Sequence, residues 1–322
     1  MNNIFNEIEN EVEKADKILL SSHLSPDGDN LGSLIGLGLS LEKMGKEVTL
    51  LQLDEIPKYL KFLKGLDKMT DKIPDNIDLY ITVDCANKER LGDVEILFND
   101  PTIKIINIDH HKSNEYYGDI NLVIGDYSST CEIVYELIKH GKFPLPTSSM
   151  DSLYTGICTD TGRFLYPAAT DSTLKAASEL IECGADKRRI MYYLYENESI
   201  ESKRLKIEIL SKSEFYFDNK LVLSSVTLKQ ASDYNSTISE VDEVVNEYKN
   251  VGGVELSVLI KEKIQNEFKV SLRSKTYLDV SKIAADFGGG GHTFAAGCSI
   301  KGSLIEVKNK LLERFEEIEW KS

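Results

Sequence analysis

Apolar residues in the first half of the chain recur alternately at helical and strand-like spacings. Ile4, Phe5, Ile8 and Val12 share one face of a 3.6-residue helix, and Lys17 to Ser22 then reads as a buried strand. The pattern next predicts a helix from Asn30 to Met44, ended by Gly45 at the expected C-terminal glycine position. Short apolar runs at Glu47 to Leu53, Ile77 to Val83 and Ile103 to Ile108 predict further strands. Helices follow at Ser128 to His140, Ser148 to Cys158 and Asp171 to Cys183. Strands alternating with helical or turn-rich segments imply an α/β domain built on a doubly wound, mostly parallel sheet.

From Asp186 to Phe217 the chain is charged and helix-compatible, without a strand signal, and reads as a helical connector. Beyond it the character changes to hairpins. Lys220 to Val226 is one strand, and Val254 to Lys261 with Phe268 to Arg273 form a hairpin around Lys263 to Asn266. Asp279 opens a short helix ending at Gly288, and Ser303-Leu-Ile-Glu306 is a capping-box pattern before an amphipathic C-terminal helix. The expected organisation is therefore a first domain over 1–185, a connector over 186–217, and a smaller mixed α/β domain over 218–322.

Composition narrows the class. A chain of 322 residues, 41% hydrophobic and 28% charged, is long enough for two cores and is not a disordered chain. The apolar stretch Leu31 to Leu41 is too short and too glycine-rich to cross a bilayer. The acidic N-terminus is unlike a signal peptide, and five cysteines without close spacing resemble neither a disulfide framework nor a thiolate metal site. A cytoplasmic protein with buried cysteines is expected. Thirty-eight Lys and Arg against 53 Asp and Glu give a formal charge of −15, which disfavours a long nucleic-acid duplex as partner. Acidity does not exclude phosphate substrates, because bound cations reverse the local field at a carboxylate cluster.

Three strand-like segments end in potential ligands. Ile18 to Ser22 leads into His23-Leu-Ser-Pro-Asp27-Gly-Asp29, Ile77 to Val83 into Asp84, and Ile103 to Ile108 into Asp109-His110-His111. In open parallel sheets the ligand site lies off the carboxyl ends of the strands, so these groups should gather at one edge. An isolated aspartate after a strand is ordinarily a turn or cap residue. Three strand ends converging on Asp and His are not explained by caps. Carboxylates and imidazoles without thiolates suit Mn²⁺ or Mg²⁺, with Co²⁺ also compatible, and this many acidic ligands suits two ions sharing one carboxylate. Such pairs serve phosphoester hydrolysis.

With those motifs in view, the chain resembles the DHH phosphoesterase superfamily, whose name-giving triplet stands here as Asp109-His110-His111. Its first motif matches His23-x-x-Pro26-Asp27-x-Asp29, its second Asp84, and its fourth Asp160 in Gly156-Ile-Cys-Thr-Asp160-Thr-Gly162. Gly288-Gly-Gly-Gly291-His292 and Ala295-Ala-Gly297 resemble the DHHA1 domain, as in the compact NrnA-type branch. The resemblance implies one metal on His23, Asp27 and Asp84, and another on Asp29, Asp84, His110 and Asp160, with Asp84 bridging. It makes Asp109 the residue that orients a histidine, and sets His111 against the scissile phosphate. It implies substrate contacts from Arg273, Ser274, Gly289, Gly290, Gly291 and His292.

Residue patterns alone leave some of these open. Four glycines in a row serve equally as a flexible turn or as an anion-binding loop. Alternation places Phe268, Val270 and Leu272 toward the core and Ser271 and Arg273 outward. Arg163 either touches phosphate or forms a structural ion pair, and Tyr192, Tyr193 and Tyr195 read as packing.

The implied activity is hydrolysis of oligonucleotides of about two to five residues, linear dinucleotides such as pGpG and pApA included, to mononucleotides, with 3′-phosphoadenosine 5′-phosphate as a second substrate. The second domain's phosphate contacts would then stand at a fixed distance from the metals, which favours short chains. No membrane partner is expected, and a homodimer stays open. A RecJ-like single-strand DNA exonuclease would need a longer chain with an oligonucleotide-binding fold. A non-catalytic nucleotide sensor is disfavoured because no expected ligand is missing.

Overall fold

The computed structural model describes residues 2–321. The chain forms two compact units, the first ending at Asn197 and the second beginning at Glu198. In the first, α1 (Asn2–Lys14) leads to β1 (Lys17–Ser21), α2 (Gly28–Lys43), β2 (Glu47–Leu51), β3 (Met69–Thr70) and β4 (Leu79–Val83). Then follow α3 (Glu95–Phe98), β5 (Lys104–Asp109), β6 (Ile120–Val123), α4 (Thr130–His140), α5 (Thr147–Asp160), α6 (Asp171–Cys183), α7 (Lys187–Met191) and a π-helical turn, Tyr192–Glu196. The strands pair in the order β3-β2-β1-β4-β5-β6, and every pairing is parallel. The doubly wound sheet read from the sequence is present. The central strand β4 is buried along its whole length, as a strand covered on both faces is: Leu79 to Val83 are all buried. The order reverses at β1 and β4, and the expected ligands lie where these strands and β5 end.

Helices α2 and α5 cross at unusually short range. A Cβ on Gly156 would stand 2.2 Å from Cys131 Sγ and 3.0 Å from Asp29 Cα, and one on Gly32 would stand 2.6 Å from the Ser152 carbonyl. Only glycine permits that approach. It brings the C-terminus of α5 to the N-terminus of α2.

The second unit contains α8 (Ile200–Ser211), β7 (Glu214–Tyr216), β8 (Leu221–Val226), α9 (Leu228–Asp233), α10 (Val244–Lys249), β9 (Leu256–Ile264) and β10 (Glu267–Ser274). It closes with α11 (Val280–Asp286), β11 (Gly290–His292), β12 (Ala295–Lys301) and α12 (Leu304–Glu316). Its mixed sheet runs β11-β12-β10-β9-β8-β7, with β8 and β9 parallel and the other pairs antiparallel. The expected hairpin turns at Asn266, which takes a left-handed φ of 61°. Ser303 and Glu306 make the expected capping box on α12.

The structure departs from the sequence reading in three places. The 186–217 segment is not one helical connector. Ile190, Met191, Leu194 and Tyr195 pack into the first unit's core, Leu205 and Ile209 into a core of the second, and Glu214–Tyr216 is an edge strand. Second, β3, β6 and β12 had no counterpart in the reading; β3 and β6 span only two and four residues. Third, Gly290–His292 is a strand on β12, not an open loop. Among the described residues, Cys85, Cys131, Cys158 and Cys298 are buried as expected, whereas Cys183 is exposed. No helix among the described residues is long and apolar enough to cross a membrane.

Candidate metal centre

The loop after β1 supplies the first candidate ligands. Asp27 is the N-cap of α2: its Oδ1 accepts from the amides of Asp29 and Asn30, both at 3.0 Å. Its other oxygen, Oδ2, stands 3.9 Å from His23 Nε2. One oxygen of Asp27 therefore caps the helix while the other faces His23. His23 Nδ1 bonds the Leu24 carbonyl at 2.7 Å, which places the proton there and leaves the Nε2 lone pair facing the acids. Asn30 Nδ2 donates to the His23 carbonyl and ties the loop to α2.

Asp84 directly follows β4 in the left-handed region, with φ of 53°, a strained conformation for a non-glycine residue. Its Oδ2 lies 3.3 Å from His23 Nε2, and its Oδ1 lies 3.7 Å from His110 Nε2. His110 in turn stands 3.8 Å from Asp29 Oδ2 and 3.4 Å from Asp160 Oδ2. Its Nδ1 faces the Tyr127 carbonyl at 3.4 Å, so Nε2 again faces the acids. Asp160 reaches the cluster from the end of α5 through the α2–α5 crossing.

Three groups of side chains are close enough to share an ion, with ligand atoms within 4.8 Å of one another: His23, Asp27 and Asp84; Asp29, His110 and Asp160; and Asp84, His110 and His111. The third competes with another bond. His111 Nδ1 is hydrogen-bonded to the fully buried Asp109 at 2.7 Å. Asp109 also accepts from Asn114 Nδ2 at 2.6 Å, and Asn114 Nδ2 reaches Asn107, which bonds Thr82 and Tyr117. Asp109 thus orients His111. Burial lowers the His111 pKa, but the hydrogen bond and charge of Asp109 outweigh it and raise it above the usual value. Burial likewise raises the Asp109 pKa, and the His111 bond and charge bring it below the ordinary range.

The cluster fits a divalent ion on its own electrostatics. Burial, then Asp29, Asp27, Asp109 and Asp160, push Asp84 well above the usual carboxylate range. Asp160 is pushed the same way, by burial and then by Asp29 and Asp27. Among the described residues, the salt bridges to Asp27, Asp29, Asp84 and Asp160 come only from histidines. Buried like charges of this kind call for a cation, and the oxygen and imidazole donors suit a hard or borderline one.

The remaining expected residues lie on the second unit. Arg273 is half-buried near the end of β10, across from Ser257 and Ala295. Its surroundings are basic: the Lys249 pKa is lowered by burial and then by Arg273 and Lys275. Ser274 does not share that exposure. It continues the core face of Phe268, Val270 and Leu272, is fully buried, and donates its hydroxyl to the Leu278 carbonyl at 2.7 Å. Strand alternation already places it there, so its hydroxyl serves the turn. Gly290 and Gly291 pair with Gly297 and Ala296, which commits alternate amides to the ladder and leaves others on the sheet edge. Gly289 backs onto the Gly297 carbonyl, which a Cβ would meet at 2.2 Å. The side chain of His292 lies outside the described residues. The guanidinium of Arg163 lies 4.0 Å from the Tyr195 ring centroid. Tyr193 stacks on Phe62 at 4.9 Å, a packing role.

Comparison with known proteins fits this layout. Residues 17–157 match the N-terminal domain of the DHH family, and residues 218–321 match the DHHA1 domain. A bifunctional oligoribonuclease and PAP phosphatase, NrnA, of Bacillus subtilis is 32% identical over 294 residues, covering 88% of this chain and 90% of that one. The chain belongs to the DHH family. Its C-terminal unit contains the DHHA1 domain. An exopolyphosphatase-related protein of Bacteroides fragilis superposes with a TM-score of 0.91 at 28% identity, covering 98% of this chain and 97% of that one. Exonuclease RecJ bound to manganese shares the fold, with a TM-score of 0.53 at 14% identity, covering 99% of this chain and 94% of that one. DHH proteins are phosphoesterases, and the acidic cluster lies on the DHH motifs of this chain.

Proposed function

We propose that this DHH protein is a two-metal phosphodiesterase that cuts short oligonucleotides, linear dinucleotides such as pGpG and pApA included, to mononucleotides, and that 3′-phosphoadenosine 5′-phosphate is a second substrate. The observation that carries the reading is the division of Asp84, with Oδ2 toward His23 and Oδ1 toward His110. One carboxylate then serves both ligand groups. His23, Asp27 and Asp84 would hold one ion, and Asp29, Asp84, His110 and Asp160 the other, with Mn²⁺ the ion best suited to the mixed donors. When bound, such ions polarise a phosphate and acidify a coordinated water.

The protein's own groups do the rest. His111, oriented by Asp109 and with its pKa raised by that bond and charge, would donate to a phosphate oxygen or to the departing oxygen of the scissile bond. Arg273, the amides around Gly289 to Gly291, and His292 take a second phosphate, one not being cut. Likeness to relatives named for short RNA and PAP supports the substrate size. A length series tests it: with Mn²⁺, 5′-labelled RNA of two and five nucleotides should be consumed far faster than RNA of twenty-four. Equal rates on the longest strand would remove the short-oligonucleotide assignment.

A further inference from the structure

Asp29 and Asp84 come from different parts of the chain, yet one residue outside the ligand set touches both. The buried Thr130, first residue of α4, donates its amide N–H to Asp29 Oδ2 at 2.7 Å and its hydroxyl to Asp84 Oδ1 at 3.1 Å. The next amide, Cys131 N–H, donates to Asp29 Oδ1 at 2.8 Å. Both oxygens of Asp29 are thus pinned by consecutive amides at a helix N-terminus, where the backbone favours negative charge.

The first turn of α4 is itself anchored. Ser129 Oγ accepts from the Glu132 amide. The buried Glu132 carboxylate accepts from Ser128 N–H and Oγ, from Ser172 Oγ and from Thr173 Oγ1 at the start of α6. The amides presented to Asp29 therefore have a fixed position.

We propose that Thr130 is a positioning residue for the metal centre, holding Asp29 and Asp84 in the orientation two ions require. This rests on the two-ion reading above. A carboxylate offers about four lone-pair sites, so one hydroxyl donor on Asp84 Oδ1 fixes its rotation and still leaves sites for ions. Without that donor the carboxylate turns more freely, and its two oxygens no longer face His23 and His110 together.

The test compares Thr130→Val, Thr130→Ala and Thr130→Ser with wild type by calorimetric titration of Mn²⁺ into metal-free full-length protein. Melting curves of the same samples identify any variant that has not folded. Val and Ala remove the hydroxyl, one keeping and one losing side-chain bulk, and both keep the amide. Loss of a partner that orients a metal ligand typically costs ten- to a hundredfold in affinity, so one of the two ions should weaken by that factor in both variants. Serine should restore it. Wild-type affinities in the Val or Ala variant would overturn the proposal, as would a loss in the Ser variant equal to that in Val. Wild-type protein that binds fewer than two ions would overturn the two-ion reading itself, a separate result.

Discussion

Each unit buries a carboxylate, and the two are treated in opposite ways. Glu255, at the foot of β9, accepts from the amides of Thr276, Tyr277 and Leu278 at 3.0, 2.9 and 3.1 Å, and from the Thr276 hydroxyl at 2.6 Å. Burial alone would raise its pKa, but these donors hold it below the ordinary range. Asp84 sits among acids instead, and burial with four neighbouring aspartates pushes it up. A buried acid surrounded by donors is a fastener. A buried acid surrounded by acids is half of a binding site, and the other half is a cation. Glu255 fastens the turn that follows Arg273, whereas Asp84 faces His23 and His110 in the acidic cluster.

His111 lies within ligand distance of Asp84, yet its Nδ1 is bonded to Asp109. His111→Ala should therefore lower turnover on a dinucleotide by roughly 10²- to 10⁴-fold, the range for a lost proton donor, with both ions retained on elemental analysis. Loss of an ion would make His111 a ligand.

Glu255→Ala orphans three amides and should destabilise the second unit by about 3 kcal/mol. The chain's single tryptophan, Trp320, stacks on Phe217 at 4.9 Å within that unit, so its fluorescence reports this unfolding separately. An unshifted Trp320 transition would contradict the fastener role.

Arg273→Ala should lower kcat/KM on dinucleotides by roughly ten- to a hundredfold, from about 1.5–3 kcal/mol for a charge-assisted bond to phosphate. A minimal chromogenic phosphodiester, which lacks the second phosphate, should be cut almost as before. Equal losses on both substrates would move Arg273 into the chemical step.

The smallest effect is one of pH. The Glu255 pKa is lower folded than unfolded, so its contribution to stability is present above the unfolded value, about 4.3, and is lost as pH falls through the folded one. The Trp320-monitored stability of wild type should drop in that acid window more than that of Glu255→Gln.

Legibility in the sequence followed the range of the interactions. His23, Asp84 and Asp109 to His111 could be placed because buried strands have a visible pattern and parallel sheets gather ligands at strand ends. Asp160 had no such marker, since it ends a helix. The signal for its position was the glycine spacing Gly28, Gly32 and Gly36, with Gly156, which marks a close helix crossing. Thr130 and Glu255 act through contacts to residues distant in sequence, which no local pattern carries. Ser274 was legible and misassigned, because the alternation that turned Arg273 outward turned Ser274 in. β3 and β6 are too short to show a period, and β11 hides in glycines that read equally as a loop.

On the two-ion reading, Asp84 joins both ions into one catalytic centre. The most direct measurement is elemental analysis and dinucleotide hydrolysis on the same Mn²⁺-loaded samples of wild type and Asp84→Asn. Two ions per wild-type chain are expected, with at least one lost from the variant and hydrolysis down on the order of a thousandfold, about 4 kcal/mol of transition-state stabilisation. An Asp84→Asn protein that keeps two ions and hydrolyses the dinucleotide at the wild-type rate would contradict the account.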